Sequence, residues 1–373
     1  MQKLGFGFMR LPLTDPDDYD SIDFALTAQM VDMYLARGFN YFDTAYMYHN
    51  GHSEIAVRET VVKRYPRASF WLADKMPIMS VKTEADLERI FNEQLERCGV
   101  DYFDVYHLHN LTVDNYRTAQ EVDAFGFLQQ KVQEGRVRHP GFSFHDNAAL
   151  LDVILTAYPG IEYVQLQLNY LDWENDGIQS RKCYETTRKH GKKIIAMEPV
   201  KGGSLAQVPE EAERLFKQYA PEMSVASWAV RYAAGLEGVD MVLSGMSDMR
   251  QLEDNTAYMR HFKPLGPAEH AVIDQAVQII KSAIAIPCTA CQYCVKYCPQ
   301  NIPIPQYFAL YNNKKQTKPM PYYVQQVYYD NYIKTHGKAS DCISCGACEC
   351  QCPQQLKIAE LMPEVAASFE QTA

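Results

Sequence analysis

The stretch KTEADLERIFNEQLERCG at residues 82–99, followed by FDVYHLH at residues 103–109, decides the fold of this 373-residue chain. Its first part places apolar residues along one face of a helix, with Thr83 and Asp86 as a start signal and Gly99 as a stop. Its second part is a short apolar run typical of a buried strand. The local unit is therefore a helix followed by a strand.

The same unit recurs throughout residues 1–285. SIDFALTAQMVDMYLARG at residues 21–38, for example, has helical spacing, a start signal at Asp20 or Ser21, and a stop at Gly38. Eight strand-like runs that alternate with such helices favour a closed (β/α)8 TIM barrel. The alternative, an open doubly wound sheet, requires a glycine-rich loop and a helix after the first strand, which GFGFMRL lacks. The strand-like runs are residues 6–11, 39–44, 70–75, 103–109, 136–144, 163–168, 193–198 and 240–245.

Composition and charge limit the possible partners. The formal net charge is −10 and no basic run appears, which argues against a nucleic-acid partner. No stretch approaches the ~18 uncharged apolar residues of a membrane span. The start, MQKLGFGFMRLPL, lacks the charged and apolar regions of a signal peptide. We therefore expect a cytoplasmic protein with no membrane partner.

Nine of the eleven cysteines are crowded between Cys288 and Cys352. A secreted disulfide scaffold spreads its cysteines through a short domain, whereas a local group in a chain without a signal points to metal. The pattern Cys-x2-Cys-x2-Cys-x3-Cys-Pro occurs twice, and soft thiolates at this spacing suit iron–sulfur clusters. Zinc is the less favoured alternative, because two Cys-x2-Cys pairs would suffice for it. The predicted ligands are Cys288, Cys291, Cys294, Cys298, Cys342, Cys345, Cys348 and Cys352.

The chain is thus predicted to have two domains. Residues 1–285 form the barrel, and residues 286–373 form a small, mainly α-helical domain with two [4Fe-4S] clusters. This second domain resembles the bacterial dicluster ferredoxins. The resemblance implies that Cys298 joins the three cysteines at 342–348 on one cluster and that Cys352 joins those at 288–294 on the other. Cys350 is a spare thiol, interpreted as structural, although it could replace Cys352.

Polar side chains stand at the ends of three successive predicted strands. Asp43 and Tyr48 follow the second strand, Lys75 ends the third, and His109 ends the fourth. Working residues of a barrel lie at these carboxyl ends. A phenol has a pKa of about 10, and a nearby ammonium stabilises its phenolate, so Lys75 is expected to lower the pKa of Tyr48. With Asp43 holding Lys75 and His109 orienting a carbonyl oxygen, the set would protonate that oxygen as hydride reaches carbon.

At these residues the chain resembles the aldo-keto reductase family. The resemblance covers about residues 4–285, and it implies a (β/α)8 barrel that transfers hydride from NADPH to an aldehyde or ketone. Tyr48 rather than Tyr46 fits the family's acid, and His109 rather than His107 fits its histidine. The matching segments are FNYFDTAYMY at 39–48, LADK at 72–75 and DVYHLH at 104–109, which place Asp43, Tyr48, Lys75 and His109 on the family's four catalytic positions.

The resemblance also implies nucleotide contacts. Ser143 and Gln165 match side chains that hold the nicotinamide carboxamide, and Met197 falls where the family usually has a stacking aromatic. Where the family has basic residues that hold the 2′-phosphate, this sequence has Gly245 and Gln251, with Arg250 one position away, so NADP(H) and NAD(H) both stay open. A flavin is compatible with the sequence but is not indicated. Further matches are Pro199, Gly202 and Gly203 for the pyrophosphate, and Ser244, Gly245, Asp254 and Asn255 around the rest of the nucleotide.

Joining a barrel to clusters raises three hypotheses, because hydride carries two electrons and each cluster passes one. In the first, an oxidoreductase acts on a small carbonyl or alcohol substrate, and the clusters relay electrons to or from an external redox protein. In the second, the clusters only stabilise an ordinary NAD(P)H carbonyl reductase. In the third, the barrel is a non-catalytic nucleotide-binding redox sensor. We favour the first.

Overall fold

The computed structural model describes residues 2–370 except 17, 176, 283–284, 287, 289–291, 293, 316–322 and 353–355. The chain folds as two compact units. The first unit comprises residues 1–169, 182–200 and 226–266, and the second comprises residues 170–181, 201–225 and 267–373. The second unit therefore takes in two segments upstream of residue 226 besides the C-terminal region.

The first unit contains a closed barrel of eight parallel strands in the order β1 to β8, as the sequence predicts. The first strand differs from its predicted range, 6–11. It pairs with β8 up to Phe6 and with β2 up to Gly7, and Phe8–Arg10 then form a 3-10 turn. The strands are β1 Leu4–Gly7, β2 Tyr41–Asp43, β3 Trp71–Met76, β4 Phe103–Leu111, β5 Val137–Phe144, β6 Tyr163–Gln167, β7 Lys193–Met197 and β8 Val239–Ser244.

Fourteen α-helices lie in the described residues, and none of them is long and apolar enough to cross a membrane. Side-chain caps begin several of them, for example Thr112 at α4, Asn147 at α6 and Asp248 at α10. The helices are α1 Phe24–Ala36, α2 His52–Val57, α3 Glu84–Cys98, α4 Val113–Glu121, α5 Ala124–Gln133, α6 Ala148–Ala157, α7 Ser180–Lys189, α8 Glu210–Tyr219, α9 Val225–Gly235, α10 Met249–Arg260, α11 Pro267–Ser282, α12 Ile304–Lys315, α13 Val324–Tyr332 and α14 Ile358–Phe369.

Two helix starts were predicted from capping residues, with different outcomes. At α3 the Asp86 carboxylate accepts a hydrogen bond from the Thr83 backbone N–H at 3.0 Å, as predicted. At α1 the prediction of Asp20 or Ser21 is wrong, because Asp23 accepts from the Leu26 N–H at 2.9 Å. The pattern of apolar residues located both helices, but the spacing of capping residues alone did not decide which one caps α1.

The amino-terminal part of the barrel interior is filled with packed side chains. Strand residues from around the barrel form one buried cluster, and Trp71 packs against it. Because this layer is apolar, the polar groups at the carboxyl ends of the strands are the ones open to chemistry. The cluster consists of Tyr41, Ala73, Val105, Tyr163, Ile195, Met241 and Leu243.

The second unit has its own hydrophobic core, which is rich in tyrosine. Tyr307 and Tyr329 lie with ring centroids 4.6 Å apart, and Tyr329 stacks on Phe369 at 4.7 Å. Cys294 and Cys348 are buried in this same core, and Cys288, Cys298, Cys342 and Cys352 pack against it. These six cysteines therefore belong to the interior of the unit, whereas Cys345 is exposed.

Candidate functional site

A buried ion pair joins the ends of β2 and β3. Lys75 Nζ donates to Asp43 Oδ1 and to the Thr44 carbonyl, each at 2.6 Å, and the Lys75 side chain is fully buried. Strand pairing sets this contact, since Asp43 lies opposite Ala73, two residues before Lys75 on the same strand. Burial alone would lower the pKa of the Lys75 ammonium, but the Asp43 carboxylate raises it above its ordinary value. Lys75 is therefore a permanent cation at neutral pH.

Tyr48 lies over this cation. Its ring centroid is 4.8 Å from Lys75 Nζ, and the His109 ring stands perpendicular to it at 6.0 Å. The turn that carries Tyr48 is anchored by the next residue, because His49 Nε2 accepts from the Leu11 N–H at 3.3 Å. The structure thus brings the four predicted catalytic residues together at the carboxyl ends of β2, β3 and β4.

Lys75 lowers the pKa of Tyr48, as expected, but the pKa still lies above its ordinary value. Burial raises the pKa of this phenol above its ordinary value, and the attraction of Lys75 for the phenolate opposes that rise only in part. The Asp43 carboxylate adds to the rise. Tyr48 therefore enters any reaction as a neutral O–H donor, and Lys75 stabilises the phenolate that forms when the proton leaves.

His109 is a neutral imidazole. Burial lowers its pKa well below the ordinary value, and the Lys75 cation lowers it further. Its Nδ1 is buried and has no hydrogen-bond partner among the residues that the structure describes. A buried polar atom of this kind costs free energy unless a ligand satisfies it. His107, two residues earlier, is fully buried, and burial lowers its pKa to about 3.

Three of the predicted nicotinamide contacts are neighbours on β5, β6 and β7. Ser143 lies opposite Gln165 in the strand pairing, and its Oγ accepts from the Asn110 N–H at 2.7 Å. Gln165 Nε2 contacts Met197 Sδ at 3.5 Å. Gln165 Oε1 is buried without a partner in the described part of the chain. An amide oxygen left in this way fits a ligand that carries an N–H donor.

The other predicted nucleotide contacts lie on several separate segments of the chain. In the first unit, Asn255 Nδ2 donates to Ser244 Oγ at 2.7 Å, and Asp254 lies next to Asn255 on α10. Gly245 follows β8 directly, and Pro199 lies two residues beyond the end of β7. In the second unit, Gly202 and Gly203 adopt φ of 63° and 97°, in a left-handed turn that favours glycine.

Four predicted cluster ligands surround one cavity in the second unit. Cys298, Cys342, Cys345 and Cys348 line it together with Ile302 and other apolar residues. The Ile302 N–H donates to Cys298 Sγ at 3.4 Å, a contact that stabilises a thiolate. This set joins the last cysteine of the first repeat to three of the second, as the ferredoxin resemblance implies.

The four thiols that line this cavity are the soft ligands that iron–sulfur clusters prefer. Within the described ranges, no three His, Cys, Asp or Glu groups are close enough to hold one metal ion. Zinc needs its thiolates about 2.3 Å from one point, whereas a cubane takes one thiolate at each iron and keeps the sulfurs apart.

Where both are described, the two cysteine repeats have matching backbone turns. Cys298 and Cys352 both end a 3-10 turn with φ −81° and ψ 112°. Gln292 and Gly346 occupy equivalent positions, with φ of 67° and 72°. Cys291 lies outside the described residues. The remaining predicted ligand, Cys288, packs against the core of the second unit.

Cys350 stands apart from the predicted ligands. It is exposed, and it is not among the residues that line the cavity. This position suits a spare thiol.

Two further features are not apparent in the sequence. Arg10 lies at the carboxyl end of β1, but the predicted strand ran through it to residue 11, so it was not considered as a site residue. Lys201 forms a buried ion pair with Asp172 in the second unit, with Nζ and Oδ1 2.7 Å apart. No local signal marked either feature, because the predicted strand 6–11 included Arg10, and Lys201 and Asp172 are far apart in the sequence.

Comparison with known proteins identifies both parts of the chain. The model of the aldo/keto reductase family matches residues 3–278, and that of a 4Fe-4S dicluster domain matches residues 287–356. L-galactose dehydrogenase of Arabidopsis thaliana is 24% identical over 249 residues, which are 61% of this chain and 76% of the relative.

Solved structures show the same fold. The holo form of the aldo-keto reductase AKR11C1 from Bacillus halodurans has a TM-score of 0.60 at 23% identity, covering 74% of this chain and 91% of its own. An aldo-keto reductase from Klebsiella pneumoniae in complex with NADPH has a TM-score of 0.57 at 18% identity, covering 73% and 90%.

Proposed function

The chain belongs to the aldo/keto reductase family and is an oxidoreductase, and from this premise we propose that it interconverts a small carbonyl compound and its alcohol with a nicotinamide nucleotide. The observation that carries the proposal is the convergence of Asp43, Tyr48, Lys75 and His109. An acid, a cation beside it and a neutral imidazole are what protonation of a carbonyl oxygen requires.

In this proposal each of the four residues has a separate task. The nucleotide, when bound, supplies or accepts the hydride. Tyr48 donates its proton to the substrate oxygen, and Lys75 stabilises the phenolate left behind. Asp43 keeps Lys75 charged and in place. His109 donates a hydrogen bond that orients the substrate oxygen and does not itself change charge, because its pKa is far below neutral pH.

Several residues would hold the nucleotide. Ser143 and Gln165 would bind the carboxamide, and the buried, unpartnered Gln165 Oε1 in the described part of the chain supports this role. Ser244, Asp254 and Asn255 would contact the other end of the nucleotide, as would Pro199, Gly202, Gly203 and Gly245. The NADPH bound to the Klebsiella pneumoniae relative supports a nicotinamide cofactor.

We further propose that the C-terminal domain holds two [4Fe-4S] clusters that relay single electrons to or from an external redox protein. Cys298, Cys342, Cys345 and Cys348 would hold one cluster, and the cavity that these thiols line supports the assignment. Cys352 would join Cys288, Cys291 and Cys294 on the other. A purely structural role is the second candidate, because the thiols pack within the core of the second unit.

Anaerobic purification followed by an absorption spectrum and identification of released small molecules tests both proposals. We expect iron–sulfur absorption, a bound or titratable nicotinamide nucleotide and no flavin. A stoichiometric flavin would replace the nicotinamide proposal, since a flavin exchanges both one and two electrons. A colourless protein with zinc would contradict the cluster proposal.

The pH dependence of carbonyl reduction should follow from the shifted pKa values of Tyr48 and His109. Because the pKa of Tyr48 is raised, kcat/KM should stay constant up to about pH 9 and fall only above about pH 10, where the phenol ionises. Because the pKa of His109 is lowered, no step should appear near about pH 6.5. Steady-state measurement of kcat/KM across the pH range tests both expectations, the fall at high pH and the absence of a step near neutral pH. A step near neutral pH that disappears in His109→Gln would contradict the neutral imidazole.

Replacement of Cys345 by serine (Cys345→Ser) should distinguish clusters that relay electrons from clusters that only stabilise the fold. Cys345 is the exposed member of its set of four thiols, so its replacement disturbs packing least. If the clusters relay electrons, the variant should lose one of two clusters and the reduction of a one-electron dye, yet keep NADPH-dependent carbonyl reduction. Iron analysis, dye assays and thermal unfolding report these properties. Cys350→Ser, an exposed thiol outside the cavity, is the matched control. Unchanged dye reduction with lowered stability would favour structural clusters.

A further inference from the structure

The hydrogen-bond ladder between β2 and β3 stops just before Lys75. β2 ends at Asp43, which lies opposite Ala73, and the Thr44 N–H still donates to the Ala73 carbonyl at 3.0 Å. Because backbone groups of alternate strand residues point to the same neighbouring strand, the N–H and carbonyl of Lys75 also point toward β2. The Thr44 carbonyl, the next acceptor on that side, accepts from Lys75 Nζ. The backbone of Lys75 therefore needs partners from outside the ladder.

Two buried side chains supply these partners. Asp74 Oδ1 accepts from the Lys75 N–H at 2.8 Å, and Gln94 Nε2, from α3, donates to the Lys75 carbonyl at 3.0 Å. Both side chains are fully buried. Successive side chains of a strand point to opposite faces, so Asp74 lies on the helix-covered face of β3 and Lys75 on the face that carries the site. The backbone of Lys75 is thus held from behind the site.

Gln94 is itself held at both ends of its amide. Its Nε2 also donates to Glu54 Oε1 of α2 at 3.0 Å, and its Oε1 accepts from the Tyr106 hydroxyl of β4. Arg97 Nη1 lies 3.2 Å from Glu54 Oε2 and balances the charge of that carboxylate. These contacts fix the orientation in which the Gln94 amide meets the Lys75 carbonyl.

Asp74 and Glu54 share a proton. Their carboxyl groups are hydrogen-bonded to each other, and two buried carboxyl groups in contact do not both carry a charge. Burial and the nearby Glu54 raise the pKa of Asp74 well above its ordinary value. Asp74 is therefore a neutral acid at neutral pH, which donates to Glu54 and accepts from the Lys75 N–H.

We propose that Asp74 and Gln94 are positioning residues, which fix the Lys75 backbone where the ladder stops and so hold its ammonium beside Tyr48. Neither residue touches the reacting atoms. Because a displacement of about 1 Å at reacting groups can cost about 10²-fold in rate, the placement of the Lys75 backbone matters to the reaction. The inference rests on the proposed function, since it presumes that Lys75 stabilises the Tyr48 phenolate during carbonyl reduction.

The variant Asp74→Val tests the proposal, because valine suits a strand but cannot accept from the Lys75 N–H. In the cluster-loaded protein, kcat for carbonyl reduction should fall about 10- to 100-fold, whereas NADPH affinity should stay within about 2-fold of wild type. Asp74→Asn should keep wild-type kcat, since its amide oxygen accepts from Lys75 and its NH₂ group donates to Glu54. Amide hydrogen exchange at Lys75 should be faster than in wild type in Asp74→Val and unchanged in Asp74→Asn.

Asp104→Asn is the matched control for the loss of a buried carboxyl group. Asp104 Oδ2 accepts from the Leu72 N–H of the same strand at 2.9 Å, three residues before Lys75. This variant should leave kcat within about 2-fold of wild type and the exchange at Lys75 unchanged.

Wild-type kcat in Asp74→Val, or a loss of kcat that Asp74→Asn shows equally, would overturn the inference and leave the proposed function intact. A wild-type protein that reduces no carbonyl compound would instead contradict the proposed function. In that case unchanged exchange at Lys75 in Asp74→Val would still overturn the positioning role. If Asp74→Val fails to fold, Gln94→Leu should show the same loss of kcat at unchanged NADPH affinity, and wild-type kcat in that variant would also overturn the inference.

Discussion

Tyr48→Phe should lower kcat for carbonyl reduction by about 10²- to 10⁴-fold, the usual contribution of a positioned general acid. The substitution removes only the hydroxyl, so the ring can keep its contacts with Lys75 and His109. Nucleotide affinity should not change, because no predicted nucleotide contact involves Tyr48. Single-turnover reduction under saturating nucleotide, together with nucleotide titration, separates the proton-transfer step from binding.

Tyr46→Phe is the matched control for this prediction. The Tyr46 hydroxyl donates to Glu93 at 3.1 Å, and Arg97 lies 4.5 Å from its ring centroid, so this tyrosine belongs to a separate polar cluster. Its replacement should leave kcat within about 2-fold of wild type, as expected for a change away from the reacting atoms. Equal kcat values for wild type and Tyr48→Phe would show that Tyr48 is not the general acid. A loss of kcat in Tyr46→Phe alone would assign the general acid to Tyr46 instead.

Lys201→Met should lower the free energy of unfolding of the second unit by about 3–5 kcal/mol, because it leaves the Asp172 carboxylate buried without its cation. Both side chains are at most 2% exposed. The Asn313 amide, from α12, also donates to Asp172 Oδ1 at 2.6 Å, and Gln325, from α13, donates to Asn313. The pair thus joins three separate segments of the unit, and their hydrogen bonds should weaken together.

Amide hydrogen exchange in α12 and α13 under mild denaturant measures this change. The double variant Lys201→Met with Asp172→Asn should recover much of the lost stability, because it removes the orphaned charge and keeps an acceptor for Asn313. Lys217→Met, at an exposed lysine of α8, is the control and should stay within about 0.5 kcal/mol of wild type. A loss below about 1 kcal/mol in Lys201→Met would show that the pair does not hold the segments together.

Much of the fold was predictable because its signals are local. Alternating apolar runs and amphipathic stretches predicted eight parallel strands, and all eight are present. The first strand was misplaced because FGFMRL remains apolar beyond Gly7, where pairing with both neighbours stops. Pairing depends on where the adjacent strands end, and that information lies far away in the sequence.

The candidate site was predictable as a set of residues but not in its electrostatics. Strand ends and motif resemblance pointed to Asp43, Tyr48, Lys75 and His109, which the structure brings together. Lys75 lowers the pKa of Tyr48, as predicted, but burial, which the sequence does not reveal, raises this pKa by more. The packing of the Arg10 side chain beside Gly245 was not predicted, because the two residues are 235 positions apart in the sequence.

The sequence by itself determined the barrel and the two sets of cluster-type thiols, because helical and strand periodicity and cysteine spacing are properties of neighbouring residues. Only the tertiary structure decided that Tyr48 stays protonated, that Arg10 fills the space over Gly245, and that Lys201 meets Asp172 in the interior. Each of these depends on how close residues that are remote in sequence come to one another, and on how far folding removes their side chains from water. Neither quantity is encoded in a local sequence pattern.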